Sequence, residues 1–281
     1  MRYVDLHMHT FYSDGTDDPK SLVRSVKLKG IDTMAITDHD NLLGYSEAKP
    51  EADKWGIELI PGTEVTTKNY HILALNVNPS DASFQDFLAK IRSYQEDNCV
   101  RRIDVLQRHG VPISLDKLKG YFPESRLGKY NIFMAMLQDS ECRAYLTKNH
   151  YDKSPYEIFC TYLKKDGIAG NIKAYEVSPQ EAIAKIHEAG GIAVLAHPFK
   201  NVEEMKEVDE LVSYGLDGIE YQPNYGDKNI PYAEYASKHG LFMTYGSDYH
   251  GASMPRALLG RKENKIEGLD EILNRHRRKA A

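Results

Sequence analysis

The stretch Val4-Asp5-Leu6-His7-Met8-His9 decides how the amino end of this 281-residue chain folds. Its apolar residues alternate with polar ones, which is the period of a β-strand that buries one face. The alternation places the side chains of His7 and His9 on the same side of that strand. Neutral imidazole is a common ligand of catalytic metals, so the pair predicts one corner of a metal site. A half-buried strand with a polar outer face is the alternative for this pair alone.

Composition and charge narrow the class of protein. The chain is 41% hydrophobic and 27% charged, which is ordinary for a soluble globular protein. No apolar run approaches the ~20 residues of a membrane span and no apolar leader precedes the first strand, so we expect a cytoplasmic protein with no membrane partner. The net charge of −5 disfavours a nucleic-acid binder with a broad basic face. A phosphate substrate stays possible, because bound divalent cations would reverse the local field.

Short apolar runs in the outer parts of the sequence alternate with helical stretches. Strands are predicted at 3–9, 33–37, 57–61, 71–77, 192–196, 218–221 and 242–245. Helices are predicted at 19–29, 44–55, 179–189, 202–214 and 230–239, several of them ended by glycine. This alternation predicts a parallel sheet, and the number of strands favours a barrel. The alternation is imperfect at residues 66–70, where the connection has no room for a helix.

Residues 79–175 have a different pattern. They show helical periodicity at 84–107, 132–137 and 155–165 and little strand signal. We interpret them as a helical insertion between the fourth and fifth strands, set into a metal-binding barrel formed by 1–78 and 176–281. His150 fits no pattern and is expected in a loop. The basic run at 275–279 is expected at the cationic end of a last helix.

Ligand-type residues recur where the predicted strands end. The set is Asp38, His39 and Asp40 after 33–37, Glu64 after 57–61, His71 at the start of 71–77, His197 after 192–196, and Asp248 and His250 after 242–245. The carboxyl ends of barrel strands gather on one face, so these residues predict one pocket. Carboxylates mixed with imidazoles, without thiolates, suit Mn²⁺, Fe²⁺ or Zn²⁺. The set exceeds the needs of one tetrahedral ion and would suit two or three ions that clamp a phosphoryl group.

Short motifs spread over 1–78 and 176–281 carry a family resemblance. In chain order they are His7-x-His9, Ser13-Asp14-Gly15, Thr37-Asp38-His39-Asp40, Gly62-Thr63-Glu64, Ala196-His197-Pro198 and Gly246-Ser247-Asp248-Tyr249-His250-Gly251. With these motifs the chain resembles the polymerase and histidinol phosphatase (PHP) family of metal-dependent phosphoesterases. The resemblance implies an α/β fold, a distorted (β/α)₇ TIM-like barrel, with a trinuclear metal site.

The resemblance also implies a ligand set for each metal. One metal would be held by His7, His9, Glu64 and Asp248. Glu64 would bridge to a second metal, which His71 and His197 would complete. The third metal would be held by Asp14, His39 and His250.

The insertion resembles that of the PHP subgroup that contains 3′,5′-nucleotide bisphosphate phosphatase and a 5′→3′ RNA exonuclease. That resemblance implies a Gly-Arg-Pro-His-like segment facing the metals, for which this chain has Gly128-Lys129-Tyr130-Asn131. Lys129 keeps a positive charge without the fork of an arginine, and Asn131 cannot titrate as histidine would. The candidate substrate-binding residues are Lys129, Asn131, Arg101, Arg102 and Arg126. Solvated helix or loop cations are the alternative for each arginine.

These observations predict a phosphoesterase that hydrolyses a phosphate monoester of a nucleotide or another small phosphorylated metabolite. A metal-bridging hydroxide would attack, and no side-chain nucleophile is needed. A 5′→3′ exonuclease acting on short RNA could use the same cluster, and histidinol-phosphate phosphatase is a further enzymatic alternative. A catalytically decayed regulatory module that still binds metal is the non-enzymatic alternative. The sequence leaves the metal identity, the exact substrate and the oligomeric state open.

Overall fold

The computed structural model describes residues 2–172, 176–253, 258–260, 265–266 and 269–274. Within these ranges lie eight β-strands. They are β1 (Arg2–Asp5), β2 (Thr33–Ile36), β3 (Glu58–Thr66), β4 (His71–Leu75), β5 (Ile192–Leu195), β6 (Gly218–Tyr221), β7 (Phe242–Tyr245) and β8 (Lys265–Ile266). The predicted basic end of a last helix, at 275–279, lies outside the described residues.

The strands form one sheet in the order β7-β6-β5-β4-β3-β2-β1-β8. The chain beyond β1 turns this sheet into a nearly closed barrel, because it pairs with the chain at and after β7. The Leu6 amide donates to the Tyr245 carbonyl at 2.9 Å, and Met8 forms a parallel bridge with Tyr249. The predicted distorted seven-stranded α/β barrel is confirmed.

The prediction of a parallel sheet is wrong at β8, which pairs antiparallel with β1, and at β4, where the alternation of strands and helices is imperfect. This strand runs antiparallel to both neighbours, β3 and β5, and it pairs with β3 through a short turn. A turn as short as 67–70 can only join antiparallel strands, since a parallel connection needs a dozen or more residues. The reversal places the first residue of β4, His71, beside the last residue of β3, Thr66. His71 therefore lies at the end of the barrel where the other strands finish.

The apolar residues of the opening stretch are buried as its alternation predicts. Val4, Leu6 and Met8 are fully buried, but so are Asp5, His7 and His9. The expectation that only one face of this stretch is buried is therefore wrong. The polar side chains are buried against other polar groups: Asp5 accepts from the Ser247 amide at 2.9 Å, and His7 and His9 contact Glu64.

The described helices of the barrel unit follow the five predicted spans to within a few residues, and α9 and α12 add to them. They are α1 (Pro19–Leu28), α2 (Leu43–Trp55), α8 (Pro179–Glu188), α9 (Pro198–Asn201), α10 (Met205–Ser213), α11 (Ile230–His239) and α12 (Leu269–Leu273). Capping explains the boundaries: the Asp18 side chain accepts from the Ser21 amide at 2.8 Å, and Gly240 ends α11 at a φ of 68°.

Between β4 and α8, the described part of the chain forms five helices. They are α3 (Ala82–Arg108), α4 (Leu115–Tyr121), α5 (Lys129–Gln138), α6 (Ser140–His150) and α7 (Pro155–Tyr162). The chain divides into a barrel unit, Met1–Ile91 with Val177–Ala281, and a helical unit, Arg92–Glu176. The helical unit has its own apolar core, to which Leu106, Ile132 and Met136 contribute. The expectation of a loop at His150 is wrong, since this residue ends α6 and its ring contacts the Tyr162 hydroxyl at 2.7 Å.

Among the described residues, no helix combines the length and the apolar character that crossing a bilayer requires.

Candidate metal centre

Four ligand-type side chains converge where the chain leaves β1, β3 and β7. His7 Nε2 lies 3.0 Å from His9 Nε2, and each of these nitrogens lies 3.2 Å from Glu64 Oε2. Asp248 Oδ1 lies 3.4 Å from His7 Nε2 and 3.6 Å from His9 Nε2. Two imidazole lone pairs repel at 3.0 Å unless a proton or a cation lies between them. The donor set therefore fits a shared metal ion.

Two further groups of ligand atoms adjoin the first. His9, Asp14 and His39 form one, and His39, Glu64 and His71 form the other, with all ligand atoms of each group within 4.8 Å of one another. His39 and Glu64 are shared, so the three groups form one continuous cluster. Such sharing is what bridged metal ions require.

Glu64 is the centre of this cluster. Its Oε1 lies 2.9 Å from His71 Nδ1 and 2.8 Å from His197 Nε2, while its Oε2 faces His7 and His9. The two carboxylate oxygens thus face different pairs of imidazoles. This is the arrangement that the family resemblance implies for a bridging carboxylate.

The remaining members of the expected set contact Asp14. Its Oδ1 lies 3.2 Å from His250 Nε2, and its Oδ2 lies 3.7 Å from His39 Nε2. The structure therefore brings together the nine residues that the family resemblance implies as metal ligands. His197 belongs to the cluster through its contact with Glu64, and His250 through its contact with Asp14.

Interactions between the charged groups of the cluster shift the pKa values of its histidines and carboxylates. Burial alone would lower the pKa of His9, but hydrogen bonds to Asp248 and Glu64 raise it to about 10. Burial alone would raise the pKa of Glu64, but the charges of His39 and His7 hold it well below its usual value. The buried carboxylates are therefore stabilised by positive charge nearby, and in the protein without metal that charge comes from protons on the histidines. A bound divalent cation would supply it instead and release those protons.

Glu220 orients two members of the cluster, and sequence analysis missed it. Its Oε1 lies 2.7 Å from His7 Nδ1, and its Oε2 accepts from the His197 amide at 2.6 Å. A carboxylate on the second nitrogen of a histidine fixes the ring and its tautomer, so the nitrogen facing the cluster is free to act as a ligand. The sequence signal that could have identified Glu220 is its place in the short run of β6, because a carboxylate buried in a strand needs a partner.

The two aspartates of the Asp38-His39-Asp40 motif stabilise the local structure through hydrogen bonds. Asp38 accepts from the Thr10 amide and hydroxyl and from the Ser13 hydroxyl, which also lies 3.2 Å from His9 Nδ1. Asp40 accepts from the amide and hydroxyl of Thr66. Only His39 of this motif reaches the cluster. The aspartates hold the loops that carry it.

Backbone strain is concentrated at the same strand ends. Asp40, His197 and Asp248 have φ values of 56°, 29° and 55°, in the left-handed region that favours glycine. Such conformations cost on the order of 1–3 kcal/mol each and persist only where surrounding structure enforces them. At His197 the bond from its amide to Glu220 supplies part of that enforcement.

Lys200 also adjoins the cluster and was not predicted. It lies in α9, and its ammonium donates to Asp248 Oδ2 at 2.5 Å. Burial would raise the pKa of Asp248, but Lys200 and the neighbouring histidines hold it well below its usual value.

The candidate substrate-binding residues of the helical unit are engaged in local structure where their contacts are described. Asn131 is 1% exposed, and its Oδ1 accepts from the Gly128 amide at 2.8 Å, which caps α5. Arg102 is 4% exposed and donates to the Ile172 carbonyl at 2.7 Å. Arg101 is exposed, and Lys129 and Arg126 are half-buried. Substrate contact by these five residues stays a prediction.

Imidazole and carboxylate atoms that converge at the strand ends of a distorted barrel define a metal-dependent barrel enzyme. Comparison with known proteins agrees with this class. The family model for the PHP domain matches residues 5–275, so the chain belongs to the PHP domain family. It is a metal-dependent phosphoesterase, a hydrolase of phosphoric ester bonds.

Relatives of known name share most of their length with this chain. A 5′-3′ exoribonuclease from Haemophilus influenzae is 30% identical, with 88% of this chain and 89% of the relative covered. A 3′,5′-nucleoside bisphosphate phosphatase from Chromobacterium violaceum is 26% identical, with 89% and 88% covered. Among solved structures, one described as a metal-dependent phosphoesterase from Bifidobacterium adolescentis is 27% identical with a TM-score of 0.80, covering 96% of this chain and 95% of its own.

Proposed function

We propose that this phosphoesterase hydrolyses a phosphate monoester of a nucleotide or of another small phosphorylated metabolite. The observation that carries the proposal is the convergence of imidazole and carboxylate ligand atoms around Glu64. Two or three divalent ions, Mn²⁺, Fe²⁺ or Zn²⁺, fit this donor set. When bound, they would neutralise phosphoryl oxygens and supply a hydroxide nucleophile at neutral pH.

The ligand assignment is part of the proposal. The first ion would be held by His7, His9, Glu64 and Asp248. The second would be held by Glu64, His71 and His197, and the third by Asp14, His39 and His250. The short contacts of each carboxylate to its histidines support this division.

The protein's own contribution is to hold these ligands in place before substrate arrives. Glu220 fixes the ring of His7, and Ser13, which bonds to Asp38, contacts the ring of His9. Preorganised ligands need no rearrangement as charge develops on the phosphoryl group, which lowers the barrier. No side-chain nucleophile is required. Lys129, Arg101, Arg102, Arg126 and Asn131 remain candidates for binding the non-reacting part of the substrate.

A 5′→3′ exonuclease acting on short RNA is the second candidate function. The 30% identity to the Haemophilus influenzae exoribonuclease over most of both chains favours it. The net charge of −5 favours a small substrate instead, because a bound polymer needs many phosphate contacts. The bisphosphate phosphatase relative supports the small-substrate proposal.

A phosphate-release panel tests the proposal. The protein is loaded separately with Mn²⁺, Fe²⁺ and Zn²⁺, and its metal content is measured before each assay. The substrates are 3′,5′-bisphosphonucleotides, mononucleotides, sugar phosphates, histidinol phosphate, p-nitrophenyl phosphate and short 5′-phosphorylated RNA. We expect the highest kcat/KM on a nucleotide monoester. Faster release of mononucleotides from RNA would establish the exonuclease, and no turnover with the metals bound would establish a non-catalytic module.

A further inference from the structure

The Lys200 ammonium occupies one side of a carboxylate whose other side faces the metal centre. Asp248 Oδ2 accepts from Lys200, while Asp248 Oδ1 lies within 3.4–3.6 Å of His7 Nε2 and His9 Nε2. The Lys200 side chain is 34% exposed and that of Asp248 is 7% exposed. The Lys200 side chain is thus partly exposed, while its ammonium contacts a carboxylate of the buried ligand cluster.

Aromatic residues hold the Lys200 side chain at this position. Its ammonium lies 5.9 Å from the centre of the Tyr225 ring, and Phe199 packs on the same ring with 4.4 Å between centroids. A cation near an aromatic face is stabilised by the ring quadrupole. The charge is thus placed by Asp248 and Tyr225 together.

The ammonium is a permanent charge at neutral pH. Lysine is protonated at neutral pH, and the Lys200 ammonium donates to Asp248 Oδ2. In the protein without metal, this charge compensates one carboxylate of an acidic cluster. A divalent cation on Asp248 would take over that compensation and weaken the lysine's hold on the carboxylate. The lysine would then have donors to offer an anion arriving at the same place.

We propose that Lys200 is a phosphoryl-binding residue, which neutralises Asp248 in the metal-free protein and donates to a non-bridging oxygen of the reacting phosphoryl group in the metal-loaded protein. The inference rests on the proposed function and names a residue for its substrate. Lysine suits this role because its ammonium is a compact charge with three donors that can turn between two acceptors.

Binding of inorganic phosphate to the Mn²⁺-loaded protein tests this role without relying on turnover. Calorimetry would compare wild type with Lys200→Met, Lys200→Gln and Lys200→Arg at equal metal content. A hydrogen bond to a charged group is worth about 1.5–3 kcal/mol, so the neutral variants should bind phosphate about 10–100-fold more weakly. Lys200→Arg should recover part of the loss. Lys206→Met is the matched control, because Lys206 is 73% exposed and pairs with Glu204.

Thermal unfolding of the metal-free proteins tests the other half of the proposal. Lys200→Met should lower the Tm of the metal-free protein, since it leaves Asp248 buried without its cation. The Tm loss should shrink when Mn²⁺ is present.

The outcomes separate this proposal from the proposed function. Normal phosphate affinity in both neutral variants would overturn the role of Lys200, even if the metal-free Tm falls, because the lysine would then be only a counter-charge. Wild type that binds phosphate through Lys200 but turns over no ester would contradict the proposed function and leave the role of Lys200 standing. If the wild type turns over an ester but the Lys200 variants keep its KM and phosphate affinity, the proposed function stands and the role of Lys200 is contradicted.

Discussion

The strand-end cluster of the barrel unit and the helical unit Arg92–Glu176 use their polar residues in opposite ways. In the cluster, buried imidazole and carboxylate atoms face one another around Glu64. In the helical unit, the buried polar groups of Asn131 and Arg102 bond to the backbone of the same unit. The first arrangement leaves ligand atoms directed at a common point, whereas the second stabilises helices and loops. The buried polar residues of the two units therefore differ in role: those of the cluster are arranged as metal ligands, and Asn131 and Arg102 stabilise the local fold.

The largest effect is expected from removing a ligand of the cluster. In His9→Ala, kcat/KM should fall by about 10³-fold or more, because His9 takes part in two of the ligand groups and metal charge stabilisation is worth several kcal/mol. Far-ultraviolet circular dichroism should remain that of the wild type. His239→Ala removes an exposed histidine at the end of α11 and serves as the control. Full turnover by His9→Ala with its metals bound would show that the strand-end cluster is not the catalytic site.

A smaller effect is expected from the carboxylate behind His7. Glu220→Gln keeps the size of the side chain but removes the charge that fixes the ring. Mn²⁺ affinity or turnover should fall by about 10–100-fold, as is typical for partners of metal-ligating histidines. Titration calorimetry with Mn²⁺ measures the change directly. Glu188→Gln is the control, since Glu188 is 60% exposed and pairs only with Lys185 among its described contacts. Unchanged metal affinity together with unchanged turnover would show that Glu220 is dispensable to the site.

The smallest effect is expected in the helical unit and concerns stability. Asn131→Ala removes the acceptor for the Gly128 amide, so the free energy of unfolding should fall by about 1–2 kcal/mol. Urea denaturation measures this change, and Asn149→Ala, at an exposed position of α6, is the control. A tenfold rise in KM with unchanged stability would instead make Asn131 a substrate contact and narrow the difference between the two units.

Much of the barrel could be predicted because local sequence carries it. Alternating and apolar runs marked the seven barrel strands, and glycine or proline marked the ends of most helices. The reversed direction of β4 could be predicted only in part. The short 66–70 connection showed that no helix follows β3, but it did not show that β4 runs antiparallel. That reversal depends on pairing between distant strands, which a local pattern does not record. It is also what brings His71 to Glu64.

Most candidate ligands could be predicted because they lie at or just after the end of a predicted strand, whereas Glu220 and Lys200 could not be predicted. Glu220 lies within a strand, and its meaning depends on His7 and on the His197 amide, which are distant in sequence. Lys200 resembles any surface lysine until its contact with Asp248 is seen. In the helical unit, the resemblance to a PHP subgroup singled out Lys129 and Asn131 as candidates for substrate binding, and the charge of the arginines added Arg101, Arg102 and Arg126. Burial and capping, which sequence does not reveal, determine the described contacts of Arg102 and Asn131.

We expect the strand-end cluster to bind divalent metal ions around Glu64. Anomalous diffraction from crystals of the protein loaded with Mn²⁺ tests it most directly, because the signal locates the ions independently of any activity. We expect at least two anomalous peaks within coordination distance of Glu64, one of them shared with His7, His9 and Asp248. Crystals of protein with measured bound Mn²⁺ but no anomalous peak at Glu64 would contradict it.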